Sequence, residues 1–240
     1  MKLDILAIGV HPDDVELGCS GSVMAAVAQG KKVGILDLTR GELGTRGTPE
    51  GRIKESLDAA RILGVEVREH LQMADGFFQN DERHQRQIIP ILRKYQPDIV
   101  LANAIDDRHP DHGRASRLIL EACFYSGLRM IVTHDEEGNV QEAWRPKHVF
   151  HYIQDRYIKP DFIVDISDFM DRKIEAIRAF KSQFFVPAYN SDEPQSYIST
   201  PEFLDFIEAR AKEFGHAIGV KFGEGFTSSR ALGVKGFPFI

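Results

Sequence analysis

Two apolar runs in this chain end without a spacer in clusters of histidine and aspartate, and each cluster leads straight into a segment with helical spacing. The first run, residues 3–10, holds Asp4 as its one charged residue and stops at His11-Pro12-Asp13-Asp14. Leu17, Met24, Ala25, Val27 and Ala28 then mark a helix that Gly30 ends. The second run, Asp98-Ile99-Val100-Leu101-Ala102-Asn103, meets Asp106-Asp107-Arg108-His109-Pro110-Asp111-His112, and Ala115, Leu118, Ile119, Ala122 and Cys123 continue it as a helix. A short, continuously apolar run has the composition of a strand covered on both faces, which calls for a parallel sheet between helix layers. In such a sheet, strand-to-helix turns open at the carboxyl ends of the strands, where ligands bind.

The rest of the chain keeps the alternation. Residues 32–39 read as a second strand, followed by a glycine-rich loop over 40–51. Thr48-Pro49 reads as an N-cap with proline at the first helical position. Ile53, Leu57, Ala60 and Leu63 carry that helix to Gly64. Residues 65–71 fit a strand, 72–80 a loop, and 82–95 a helix containing Pro90. Strands are expected over 147–153 and 162–166. Ser167 or Asp168 should cap a helix carrying Phe169, Ile174, Ile177 and Phe180, and a last helix starts at Thr200-Pro201 with Phe203, Leu204, Ile207, Ala211 and Phe214. From Gly215 onward the tail has no regular period, yet Phe222, Phe226, Phe237 and Phe239 must pack on something. The expectation is one α/β domain over 1–240, a Rossmann-like doubly wound, mostly parallel sheet with helices on both faces. Segment 186–240 is expected to pack on it as loops and one helix. With strand order 3-2-1-4-5, strands one and four are neighbours, so the two clusters face one crevice although about a hundred positions separate them.

Acidic residues outnumber basic ones, 36 to 30, with no basic block, which argues against a nucleic-acid footprint and for a small-molecule partner. Cys19 and Cys123 are too few for a disulfide framework. No apolar run approaches the roughly 20 residues of a membrane span, and the first strand begins without a basic region or cleavage site. These features together predict a cytoplasmic protein.

His11 and Asp14 are three apart with Pro12 fixing the backbone between them, so both side chains can turn to one side. A histidine of the second cluster completes two imidazoles and a carboxylate, the ligand composition of an open catalytic zinc site; ferrous iron fits the same set. Asp13 beside it can accept a proton from an attacking water, and the remaining histidine can steady an oxyanion or protonate a leaving group. Asp4 and Asp37 read as ordinary strand residues, and Asp106 and Asp107 as turn or solvated residues. The loop Gly41-Glu42-Leu43-Gly44-Thr45-Arg46-Gly47 lacks the spacing of a nucleotide-binding motif, but Arg40, Arg46 and Arg52 on or beside it suit an anionic or polyhydroxyl substrate. The competing reading is a sugar- or nucleotide-binding module with a structural metal. Structural zinc favours four protein ligands and cysteine, which this pattern lacks.

At His11-Pro12-Asp13-Asp14 and His109-Pro110-Asp111-His112 the chain resembles the LmbE-like, or PIG-L, family of metal-dependent N-acetylglucosaminide deacetylases. Residues 37–47, together with Lys221-Phe222-Gly223-Glu224-Gly225-Phe226, are similar to its bacillithiol-biosynthesis branch. The resemblance implies metal ligation by His11, Asp14 and His112, with Zn2+ or Fe2+ as the ion. It implies Asp13 as general base and His109 at the oxyanion, oriented by Asp111. It further implies a homo-oligomer, often a hexamer, and N-acetylglucosaminyl malate as substrate, with Arg46 and Arg52 placed to meet the malate carboxylates. Free N-acetylglucosamine, chitooligosaccharides and thiol conjugates are the alternative substrates within the same family.

Overall fold

The computed structural model describes residues 1–187, 189, 192–233 and 236. Its elements in chain order are β1 (Ile5–Gly9), α1 (Asp14–Ala28), β2 (Val33–Asp37), α2 (Pro49–Leu63), β3 (Val67–His70), α3 (Glu82–Tyr95), β4 (Ile99–Ala102) and α4 (Pro110–Ser126). There follow β5 (His148–Tyr152), β6 (Phe162–Asp165), α5 (Met170–Arg178), a 3-10 turn at Tyr197–Ser199, α6 (Pro201–Ile218) and β7 (Gly223–Ser228). The seven strands form one sheet in the order β3-β2-β1-β4-β5-β7-β6. The first five are parallel, and β7 enters antiparallel between β5 and β6. The expected 3-2-1-4-5 order therefore holds, and β1 lies beside β4 with Ile5 opposite Ile99 and Ala7 opposite Leu101.

Alternation along the strands builds the two layers. Leu6 and Ile8 of β1, Leu36 of β2 and Val100 of β4 join Ile88 and Leu92 of α3 and Leu118 and Ile119 of α4 in one core. Ala7, Ile35 and Leu101 face the other way, against Val15 and Val23 of α1, Leu63 and Tyr152. Each fully buried leucine or isoleucine contributes about 1.5–3 kcal/mol. A third cluster joins Leu17 of α1 to Phe180, Phe184, Phe203, Ile207 and Phe222, so α5, α6 and the start of the last strand are packed on the sheet's second face.

Capping follows the sequence at α2, where Thr48 Oγ1 accepts from Gly51 N at 3.1 Å, Pro49 opens the helix and Gly64 ends it at φ 73°. Pro90 stays inside α3, because Ile88, Ile89 and Leu92 bury a continuous face that outweighs one missing N–H. Two expectations need correction. Neither Ser167 nor Asp168 caps α5: its N-cap is Phe169, and Ser167 Oγ instead donates to Asp165 Oδ1 at 2.6 Å. The tail carries β7 in addition to loops and a helix. Its glycines hid the strand from any period, and they are there because the chain is crowded: a Cβ on Gly223 would lie 2.6 Å from Ile163 Cγ2, and one on Gly225 3.0 Å from the Phe214 ring. Phe222 and Phe226 are buried as expected, whereas Phe237 and Phe239 lie outside the described residues.

α1 is broken at Cys19, which has φ −149° and ψ 17°. Lys173 Nζ donates to Leu17 O at 2.8 Å where the first half ends, and Glu224 accepts from Gly21 N at 3.0 Å and Ser22 N at 2.7 Å where the second begins. Charges of each sign thus meet the helix ends whose partial charge they oppose, and Lys173 pairs with Glu224 at 2.6 Å. The half that carries Asp14 is one short turn pressed on Tyr152, since a Cβ on Gly18 would run into the Tyr152 ring.

Candidate metal and catalytic site

The turns after β1 and β4 open into one cleft of about 410 Å³, with His11, Asp13, Asp14, His109 and His112 in its wall. Asp14 opens α1, and its Oδ2 accepts from Val10 N, His11 N and Asn103 Nδ2, each at 2.9 Å. Gln154 Nε2 donates to Oδ1 at 2.9 Å. Four donors hold the carboxylate in one orientation. Oδ1 lies 3.1 Å from His112 Nε2, and Oδ2 3.6 Å from His11 Nδ1.

The outward nitrogens of the two imidazoles are committed to other carboxylates. His11 Nε2 meets Asp75 Oδ1 at 3.0 Å, and His112 Nδ1 meets Asp107 Oδ2 at 2.7 Å. This hydrogen bonding assigns the proton to those nitrogens and leaves His11 Nδ1 and His112 Nε2 facing Asp14, the arrangement in which an outer carboxylate orients a ligating histidine. His109, at the N-cap of α4, brings its ring centroid 4.7 Å from that of His11 and 5.3 Å from that of His112, and its Nδ1 accepts from Asp111 N at 3.3 Å. Ligand atoms of His11, His109 and His112 all fall within 4.8 Å of one another. Of the three, His109 is the one whose accepting nitrogen is already used, so it turns an N–H toward the cleft.

Asp13 stands just outside α1 with φ 145°, a conformation that L residues rarely adopt and that costs on the order of 1–3 kcal/mol. Its Oδ2 receives Arg52 Nη2 at 2.9 Å. Burial pushes the Asp13 carboxyl up to about 7 against the pull of that guanidinium, and the Asp14 charge adds to the rise. Burial opposes a proton on His112, but Asp14 and Asp107 outweigh it and raise this imidazole to about 9. His11 is likewise raised against burial by Asp111, Asp14 and Asp75, while the two histidines hold Asp14 well below the carboxylate range despite its burial. His109 goes the other way, lowered by burial and by the charges of His11 and His112, so it is a neutral imidazole at physiological pH.

All eight site residues expected from the sequence are near this cleft, in two different conditions. His11, Asp13, Asp14, His109 and His112 converge. Asp111 is close, but its carboxylate accepts from Gly76 N at 2.8 Å and Arg114 Nη1 at 2.7 Å and lies 3.7 Å from His11 Nε2; it touches His109 through its backbone N–H. Arg46 spends Nε on Ser182 O and Nη1 on Glu193 O and Pro194 O. Arg52 spends Nη1 on Gly41 O and Nη2 on Pro12 O and Asp13. Arg108 also lines the cleft, its guanidinium 4.4 Å over the Tyr197 ring.

Four buried polar residues escaped the sequence reading as partners of other buried groups. Asp107, read as a turn or solvated residue, is buried and holds His112, whereas its neighbour Asp106 is exposed as expected and pairs with Arg156. Asp37, read as an ordinary strand residue, is fully buried against Arg68, which also pairs with Glu16. Asp75 and Gln154 lie in the segments that follow β3 and β5, and their one sequence signal is a polar side chain beyond the carboxyl end of a parallel strand.

The family profile described as PIG-L, GlcNAc-PI de-N-acetylase, matches residues 6–123, the span from β1 to α4 that contains both turns. An uncharacterised deacetylase of Escherichia coli, YaiS, is 34% identical over 131 residues, covering 50% of this chain and 67% of its own length. The chain belongs to the PIG-L family of deacetylases. Among its other relatives in this family, the diacetylchitobiose deacetylase of Thermococcus kodakarensis is 29% identical over 231 residues, 92% of this chain and 81% of that one. The crystal structure of the conserved protein TT1542 from Thermus thermophilus superposes with a TM-score of 0.84 at 37% identity, covering 97% and 98% of the two chains.

Proposed function

We propose that this PIG-L family member is a divalent-metal amidohydrolase that converts N-acetylglucosaminyl malate to glucosaminyl malate and acetate, the deacetylation of bacillithiol biosynthesis. The observation that carries the hydrolase reading is the convergence of His11 Nδ1 and His112 Nε2 on Asp14 with Asp13 and His109 on the rim. The donor set suits a divalent ion: two imidazole nitrogens whose outer nitrogens are held by Asp75 and Asp107, and one carboxylate oriented by four donors. His11, Asp14 and His112 would hold the ion, Zn2+ or Fe2+, which supplies Lewis acidity toward the acetyl carbonyl and toward water.

The chain's own groups carry the remaining steps. Asp13 takes the proton of the water that attacks the acetyl carbon, and its raised pKa makes it a stronger base than an ordinary carboxylate. His109, neutral, donates a hydrogen bond to the oxyanion rather than starting as an imidazolium. When the C–N bond breaks, the proton held at Asp13 goes to the departing amine. Asp111 fixes His109 through its backbone and His11 through its carboxylate. Arg46 in the cleft wall is the proposed partner of a malate carboxylate; Arg52, expected from the sequence to share that duty, has Nη1 and Nη2 committed to Gly41 O, Pro12 O and Asp13, and its proposed role is to set the base. The relation to diacetylchitobiose deacetylase over 92% of the chain favours a chitooligosaccharide as second substrate. The same family resemblance extends the proposal to a cytoplasmic homo-oligomer, a hexamer; no helix among the described residues is long and apolar enough to cross a membrane.

Zinc- or iron-loaded protein assayed for free amine on N-acetylglucosaminyl malate, N-acetylglucosamine and diacetylchitobiose tests this. The malate conjugate should give the highest kcat/KM. Preference for diacetylchitobiose would move the assignment to the second substrate. No amine from any of the three, with the ion bound, would end the hydrolase reading.

A further inference from the structure

Among the described residues, Asp75 is the one side chain that touches both a proposed metal ligand and the loop that walls the cleft. Its Oδ1 meets His11 Nε2 at 3.0 Å, and its Oδ2 accepts from Leu43 N at 2.9 Å. Its own N–H donates to Glu42 Oε1 at 2.9 Å, so the loop is gripped at two successive residues. The next residue continues the strut: Gly76 N donates to Asp111 Oδ2, the same oxygen that lies 3.7 Å from His11 Nε2. A Cβ on Gly76 would meet Leu43 Cδ1 at 3.2 Å, and the glycine sits at φ 73°, so Gly76 packs directly against the Leu43 side chain. On the cleft side, Leu43, Gly44, Thr45 and Arg46 form part of the wall, while Leu43 itself is well exposed and the loop has little apolar burial of its own to hold it.

We infer that Asp75 is a positioning residue that couples ion occupancy at His11 to the order of loop 41–47, and hence to substrate binding. The inference rests on the proposed ion site at His11, Asp14 and His112. The physical step is that a carboxylate is rigid and planar. An ion held by His11 would fix the ring, the ring would fix the direction of its Nε2–H, and Asp75 Oδ1 would follow. Oδ2 then presents a fixed acceptor to Leu43 N–H. Coupling of this kind is reciprocal, so a ligand that orders the loop must also tighten the ion. Asp107 is the natural control, because it holds His112 in the same way but its other oxygen accepts from Arg108 N, Asp155 N and Arg156 N, away from loop 41–47.

The test is backbone hydrogen exchange over residues 41–47 with and without saturating zinc, together with zinc affinity by chelator competition. It is run on the wild-type protein, Asp75→Asn and Asp107→Asn. In the wild-type protein zinc should slow exchange in the loop, Leu43 included. Asp107→Asn should weaken zinc by about 10–100-fold yet keep the slowing once saturated. Asp75→Asn should weaken zinc to a similar degree and lose the slowing, and its KM should rise where that of Asp107→Asn does not. Zinc that binds the wild-type protein without changing loop exchange overturns the coupling and leaves the metal-site reading standing, a result that needs no variant. Slowing retained in Asp75→Asn overturns it equally. Failure of the wild-type protein to bind zinc or ferrous iron overturns both.

Discussion

The two turns share the tripeptide His-Pro-Asp but use it differently, and the difference is where the helix begins. After β1 the helix starts at the fourth residue, Asp14, so Asp13 is left outside it at φ 145° with its carboxylate toward Arg52. After β4 the helix starts at the second residue, Pro110, so His109 is the N-cap and Asp111 lies in the first turn, its carboxylate directed at Gly76 and Arg114. A shift of two residues in helix start converts the third residue of the motif from a strained, buried acid on the cleft into a strut. It also converts the first from a carboxylate-held imidazole into one whose N–H is free for the cleft. Identical sequence therefore does not mean identical duty.

The largest effects should come from the residues that point inward in both turns. His11→Ala, Asp14→Ala and His112→Ala should lose bound ion and turnover together, read by metal analysis beside kcat. Asp14→Ala should also destabilise the fold most, because it strands the N–H groups of Val10 and His11 and the amides of Asn103 and Gln154, at about 1–3 kcal/mol for each that stays unsatisfied. If His109→Ala empties the site while His112→Ala leaves it filled, the two histidines of the second turn exchange roles.

Next come the residues that the helix starts set apart. Asp13→Asn and His109→Ala should keep the ion and lower kcat by about 10² or more, the size of a lost proton-transfer or oxyanion group. Asp111→Asn should cost less, since the atom that meets His109 is its backbone nitrogen. Equal losses at Asp13 and Asp111 would mean the motifs act alike after all, contrary to the geometry.

The strand order, the meeting of the two clusters and the inward histidines were legible because they follow from apolar periodicity and from a topology with few alternatives. The partners that hold them were not. Asp75 and Asp107 each act on a ring that sequence distance or helix register hides: Asp75 is 64 positions from His11, and Asp107 reaches His112 only because α4 starts at Pro110. β7 was invisible for a related reason, since its glycines answer to side chains of Ile163 and Phe214 on other elements.

The pH behaviour should separate the turns again, with a smaller effect. Metal-free protein keeps a proton on His112 up to about pH 9, so ion uptake must displace it, and apparent affinity should rise with pH toward that value. Asp13 must be ionised to act, so with a pKa of about 7 its activity should climb through neutrality. Because its folded pKa is raised above the unfolded value, its buried charge destabilises the fold as pH rises through 7. Asp13→Asn should therefore raise Tm at pH 8 more than at pH 5, a gain that disappears if Asp13 is ionised at both.

The smallest effects should fall on the arginines, where the same contrast between facing the cleft and bracing it applies. Arg52 neighbours the base: its Nη2 lies 2.9 Å from Asp13 Oδ2 and it pulls the Asp13 carboxyl down. Arg52→Met should shift the acidic limb of the activity profile to higher pH and lower kcat near neutrality for every substrate. Arg46 is tied to the 182–194 backbone by Nε and Nη1 and keeps Nη2 outside those bonds, so it can meet a carboxylate without leaving its place. Arg46→Ala should raise KM about ten-fold for the malate conjugate, the scale of one hydrogen bond to a charged group, and much less for uncharged N-acetylglucosamine. An equal rise for both substrates would show that Arg46 serves the loop rather than the ligand, and the carboxylate would then have to be met by another group in the wall.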